Sequence, residues 1–299
     1  MKIFKKKIKI INGIYTPEVN TKINDAVDKL YTNAPFPTYN DGEDKNIILK
    51  KGNNNYVAKQ LKTFIGYGKI ILEIGCGTGH LSNYLGIGNN NTIVALDPVL
   101  ESIRLGKKFA DKNNIKNIIF VNANIFDDIF CEEIFDLIFC SGVLHHTEKP
   151  KEGFNIIANY SKKNGIVVLG LYNRFGRGRI FLRQIIYKFI SKKLALFLDP
   201  YLRKNKNISK QKYLSWEHDQ YRHPLEKSYT FDNALEWFNN NNIKFINYYP
   251  SELLEDKKNN LFYERKLPNF FVRICEQFYM FFSKIGDEGG LFIFIGKKK

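Results

Sequence analysis

Between residues 69 and 171, five short apolar runs alternate with longer stretches that place apolar residues at helical spacing. Few folds accommodate that alternation: strands joined by helical crossovers form a parallel sheet covered on both faces. The runs are Lys69–Ile74, Thr92–Asp97, Asn117–Asn122, Phe135–Cys140 and Gly165–Leu171, and helical periodicity lies around Leu81–Leu85, Val99–Lys112, Phe126–Ile129 and Glu152–Lys162. The fold class is therefore α/β, with a doubly wound and mostly parallel sheet. Residues 1–50 read as a loosely patterned arm containing Pro17, Pro35 and Pro37, and residues 51–172 as the core, entered through a helix over Lys51–Phe64. Residues 173–229 are basic and aromatic with no strand-like run, and are expected to form a helical insertion. Residues 230–299 complete the sheet, with a Thr230-capped helix through Trp237, a strand at Lys244–Tyr248, a helix at Phe270–Ser283 and a last strand at Leu291–Ile295.

Apolar residues make up 44% of the 299 and aromatics 15%, enough for a packed interior and incompatible with a disordered chain. No stretch reaches the roughly 18–20 uninterrupted apolar residues of a spanning helix, and Met1–Ile10 alternates lysine with isoleucine. A soluble, cytoplasmic protein is the expectation. The cysteines at 76, 131, 140 and 275 form no Cys-x-x-Cys pair and have no partner histidines at zinc spacing, so neither a disulfide framework nor a metal site is expected. The formal charge of +16 accompanies runs of asparagine such as Asn53–Asn55 and Asn239–Asn242, as a coding bias would leave, and is read as a solvated basic surface.

The most informative segment is Ile70-Ile71-Leu72-Glu73-Ile74-Gly75-Cys76-Gly77-Thr78-Gly79-His80-Leu81, where a buried strand ends in a glycine turn that opens a helix. Bare backbone lets a ligand approach closely, and helix amides are expected to face it. His80 stands where the dinucleotide pattern would place its third glycine, which disfavours a dinucleotide. Glu73, at the strand end, suits a cationic ligand rather than a pyrophosphate. Asp97 ends the second strand, where a carboxylate can accept from both hydroxyls of a ribose.

With these residues in place, the chain resembles the class I S-adenosylmethionine-dependent methyltransferases over about residues 55–172. Leu72–Gly79 matches the first motif of that family, Asp97 the acid after its second strand, and Phe135–His146 its fourth-strand motif. The resemblance implies a seven-stranded sheet whose last strand runs antiparallel, and S-adenosylmethionine as cofactor. It implies a cofactor-binding set of Glu73, Gly75, Cys76, Gly77, Gly79, Asp97, Pro98, Asn124, Ile125 and Cys140. Asn124 departs from the usual Asp near the adenine and would accept without charge assistance.

Methyl transfer from a sulfonium depends mostly on orienting the acceptor, and only a hydroxyl acceptor needs a base. Candidate bases are His145 and His146 after the fourth strand, and His218, Asp219 and His223 within Trp216–Glu226, the densest cluster of titratable groups in the chain. Arg174, Arg177 and Arg179 are expected to hold an anionic group of the acceptor. The amphipathic helix Ile180–Leu198 is expected to be a docked lid rather than a membrane anchor. A small-molecule acceptor is preferred, with an RNA or protein methyltransferase using the basic surface as the alternative and a non-catalytic nucleoside-binding subunit as a third reading.

Overall fold

Apolar side chains at most positions of the inner strands favour burial on both faces, and the computed structural model, which describes residues 2–18, 32, 35–40, 42–222, 225–251, 260–282 and 290–299, shows that arrangement. Strands β3 (Ile70–Ile74), β4 (Thr92–Asp97), β5 (Ile118–Asn122), β6 (Phe135–Ser141) and β7 (Ser161–Tyr172) pair in parallel. Strand β9 (Leu291–Lys298) runs antiparallel between β7 and β8 (Ile243–Tyr249). Helices α3 (His80–Gly86) and α4 (Leu100–Lys112) cover one face together with α1 (Lys45–Asn54) and α2 (Tyr56–Ile65). Helices α5 (Pro150–Tyr160) and α10 (Phe231–Asn240) cover the other, packing Phe154, Ile157, Phe231 and Phe238 against Val167, Leu169 and Phe294.

The sheet has nine strands rather than the seven expected. The additional pair is a hairpin in the N-terminal arm, β1 (Ile8–Ile11) and β2 (Ile14–Pro17), and the strand order is β1-β2-β5-β4-β3-β6-β7-β9-β8. Its two-residue turn, Asn12-Gly13, has φ of 52° and 73°, the conformation whose twist matches paired strands. Tyr15 of β2 meets Val121 of β5, extending the sheet past its expected edge.

The leading helix is also two helices. Asn55 ends α1, and its side chain accepts from the Ala58 amide at 2.9 Å to cap α2, so one residue closes one helix and opens the next. After β7 come α6 (Gly178–Ile185), a π-turn over Ile186–Ile190, α7 (Lys192–Phe197), α8 (Pro200–Lys204) and α9 (Lys210–Tyr221). Thr230 caps α10 with a reciprocal Asn233 bond, and α11 (Phe270–Phe282) precedes β9.

Candidate functional site

The carboxyl ends of β3, β4 and β6 border a cavity of about 410 Å³. Glu73, Gly75, Cys76 and Gly77 form its floor, Asp97, Pro98, Val99 and Ser102 one wall, and Phe139, Ser141, Gly142 and Val143 the opposite wall. His146, Thr147, Tyr172, Trp216 and Gln220 also line it. Phe139 and Ser141 reach the cavity because side chains alternate along a strand; the same alternation turns Cys140 into the opposite core, where it is 1% exposed. Asn124 and Ile125 also stand outside the cavity wall: the Asn124 side chain accepts from the Phe126 amide and caps the short turn Ile125–Asp127, and Ile125 is buried in the same core as Cys140.

The glycine turn contributes space rather than donors. Its amides were expected to face a ligand, but the Gly75 and Cys76 N–H groups donate to Leu96 O at 2.8 and 3.0 Å, and Gly77 N–H donates to Asp97 Oδ2 at 2.8 Å. Gly75, Gly77 and Gly79 all have positive φ. A Cβ on Gly77 would run into the Phe36 carbonyl oxygen, and one on Gly75 into the Val143 side chain, so the turn leaves no room for side chains of its own.

Two carboxylates are buried here. Burial pushes the Glu73 carboxyl up to about 7, against the bond it accepts from the Ser82 hydroxyl. Burial likewise raises Asp97 to about 6, although its oxygens accept from the Gly77 and Val99 amides. No lysine or arginine is among the described residues lining the cavity. Two buried acids beside a lining without a described lysine or arginine are costly as ions, and a ligand that brings its own positive charge and hydroxyl donors relieves that cost.

The arm supplies a cover that the sequence did not reveal. Phe36 and Pro37 lie on the cavity wall, and the Thr78 hydroxyl donates to Pro37 O. With its only proton spent, Thr78 Oγ1 accepts from His80 Nδ1 at 3.0 Å. Tyr39 stacks on His80 with ring centroids 4.0 Å apart and on Phe109 at 4.5 Å, and its hydroxyl donates to Thr78 O at 2.9 Å. Removing this side chain with Tyr39→Ala is expected to cost about 2–3 kcal/mol, from two ring contacts and a hydrogen bond. Urea unfolding should show a lowered midpoint, with cofactor affinity reduced about tenfold as the cover loosens.

The candidate bases separate. His146 lines the cavity; its Nδ1–H donates to Leu225 O at 2.8 Å, which fixes Nε2 as the acceptor nitrogen of the neutral ring. Burial lowers it to about 4. His145 is fully buried, stacked on Tyr172 at 3.9 Å, and lies outside the wall. On α9, Trp216 and Gln220, one helical turn apart, face the cavity, while His218 lies two residues from each on another side of the helix. The Asp219 side chain and His223 lie outside the described residues.

Much of the titratable cluster is structural. Glu217 accepts from Tyr187, Lys192 and Arg222, and Asp199 from Trp216 and Tyr221, tying α9 to the helices before it. Arg177, expected to hold an acceptor anion, instead makes a two-point pair with Glu226 at 3.0 and 2.6 Å and donates to Gln220 at 2.9 Å. Its guanidinium lies 3.9 Å over the Tyr172 ring. It positions two cavity residues rather than binding an anion.

Residues 65–232 match the family described as Methyltransferase domain. The chain belongs to that family. The chain overlays on PKMT2 from Rickettsia typhi with a TM-score of 0.56 at 16% identity, covering 83% of this chain and 53% of that one, and on the same protein in complex with AdoHcy at 0.54, 16% identity and 82% and 52% coverage. Among curated relatives, an uncharacterized protein of Synechococcus sp. is 24% identical over 199 residues, 60% of this chain and 48% of its own length. A ubiquinone biosynthesis O-methyltransferase of Rickettsia typhi is 26% identical over 111 residues, 37% of this chain and 44% of its own length. The chain thus spans about half the length of the curated relatives it matches. The cofactor that the methyltransferase domain and its fold imply is S-adenosylmethionine, and the unpaired acids and bare turn fit its charge and its ribose.

Proposed function

We propose that this protein transfers a methyl group from S-adenosylmethionine to a small, largely apolar molecule held at the Tyr172–Trp216 end of the cavity. When bound, the cofactor supplies a methyl group already activated on a sulfonium. Glu73 would hold its positively charged methionine end and Asp97 its ribose hydroxyls, each Asp97 oxygen retaining a lone pair beyond the backbone bond it accepts. Gly75, Cys76, Gly77 and Pro98 would line its path, and Gly79 would hold the turn. Tyr172 and Trp216 would orient the acceptor and exclude water. His146, with Nε2 as acceptor, is the residue placed to take the proton of a hydroxyl acceptor.

The observation that carries the reading is the lining of the cavity. Phe36 and Pro37 from the arm and Trp216 and Gln220 from α9 border a cavity whose described lining carries no lysine or arginine. A polyanionic acceptor needs a basic groove there. The O-methyltransferase relatives support the same class of acceptor. The test uses S-adenosylmethionine labelled in the methyl group, offered with fractionated cell extract. Label should enter the small-molecule fraction; label in RNA or protein would overturn the acceptor class, and no heat on titrating the cofactor would overturn the whole reading.

A pH dependence follows. A cationic ligand binds ionised Glu73, which is protonated as pH falls through about 7, followed by Asp97 through about 6. Affinity should therefore be constant above about pH 8 and fall by about 100-fold on going to pH 5.5, with close to two protons taken up per complex lost at the acid end. Calorimetry in buffers of different ionisation enthalpy reads those protons directly.

A further inference from the structure

The single helix expected over Ile180–Leu198 is two helices in the structure, and the apolar face expected to dock as a lid is turned outward. Ile180 is the buried residue of α6 and Ala195 that of α7. Phe181 is 61% exposed, Phe189 73%, Ile190 70% and Phe197 70%, with Leu182 and Leu194 also exposed. The break at Ser191, whose hydroxyl caps α7 through the Leu194 amide at 3.2 Å, holds the two helices as a short bent unit. Helix α11 stands against its start: Phe278 lies 5.4 Å from Phe175, and the Phe281 ring borders Gly178. One face of α11 is spent on the fold through Arg273, Gln277 and Met280, and the other exposes Phe271, Phe278 and Phe282.

The charge around this face has one sign. From Arg174 to Trp216 the acidic side chain in the sequence is Asp199, which is buried and engaged with Trp216 and Tyr221. The basic ones include Arg179, Arg183, Lys188, Lys193 and Arg203, with Lys188 Nζ 5.3 Å over the Phe189 ring. Exposed rings and aliphatic side chains interleaved with lysine and arginine match the boundary between acyl chains and anionic headgroups, where both parts find a partner. A soluble protein partner would have to supply both a large apolar surface and an unbroken acidic rim. No helix among the described residues is long and apolar enough to cross a membrane, so the contact is with the surface.

We infer that α6, the π-turn and α7, with the outer face of α11, form a docking surface for an anionic lipid bilayer. The test is flotation of the full chain with vesicles of neutral phosphatidylcholine, or of the same lipid with about one third phosphatidylglycerol, at low and high salt. The protein should float with the anionic vesicles, at least tenfold less with neutral ones, and be partly released by salt. Phe189→Ser/Ile190→Ser, at largely exposed positions, should reduce flotation at least tenfold while leaving calorimetric S-adenosylmethionine affinity unchanged. Lys188→Glu/Lys193→Glu should weaken it further in the anionic case only. Absence of flotation with anionic vesicles, or flotation indifferent to the serine pair, would overturn the inference. So would sedimentation showing a dimer that the serine pair dissolves, since the face would then join two copies of the chain.

Discussion

Glu73→Gln is expected to give a protein more stable than the wild type at about pH 8 that binds S-adenosylmethionine at least about 30-fold more weakly. The wild-type carboxyl is lifted from 4.5 to about 7 by burial, so between those values the folded chain holds a proton that the unfolded chain has released. Stability therefore falls as pH rises through that window and stays reduced above it, by about 3 kcal/mol at most. Glutamine accepts the Ser82 hydroxyl in the same place without a charge to desolvate, so a gain of about 1–3 kcal/mol is expected at pH 8 and almost none near pH 4. The ligand's cation loses its counter-charge in the same step, and affinity should drop by at least about 30-fold, worth about 2 kcal/mol. Thermal unfolding at the two pH values and calorimetry at pH 8 check both halves. A variant less stable than wild type at pH 8 would mean that the acid is already paid for by something other than the ligand.

Gly77→Ala is expected to be severe for a different reason. The residue sits at φ +53°, and its missing side chain is the space occupied by the Phe36 carbonyl, so the methyl group adds left-handed strain and a backbone collision together. The cost is expected at about 2–4 kcal/mol, with cofactor affinity lowered at least tenfold as residues 36–39 are displaced from the cavity. Gly88→Ala separates the two causes: its φ is +77° but nothing lies within 4 Å of the added atom. It should cost about 1 kcal/mol and leave binding unchanged. Equal effects from the two substitutions would show that the arm does not seal the turn.

The sequence made the central strands legible because burial on both faces leaves unbroken apolar runs, and it made Glu73, the glycine turn and Asp97 legible because each sits at a strand end in a fixed order. The hairpin was missed although Asn12-Gly13 between alternating residues is a strong turn signal; the lysines of β1 hid a strand that has only one neighbour. The cover formed by Phe36, Pro37 and Tyr39 depends on contacts with residues about 40 positions away, and no local pattern announces them. The cluster from Trp216 to Glu226 was legible only in part, because density of titratable groups cannot separate a pocket from a brace and the segment supplies both. Side-chain direction on α9 decides that, and it brings Trp216 and Gln220 rather than His218 to the cavity. Arg177 misled in the same way, its acid partner Glu226 being 49 residues distant.

The N-terminal hairpin also settles what the sheet offers to its neighbours. Without it β5 would be a bare margin, a five-residue template open to another chain's backbone. With it the outermost strand is β1, four residues long, carrying Lys9 and preceded by the exposed Lys5, Lys6 and Lys7, with Lys5 clasping Asp128 at 2.9 Å. A strand that short and that positively charged disfavours pairing with a copy of itself, and the arm thereby blunts this one margin of the sheet.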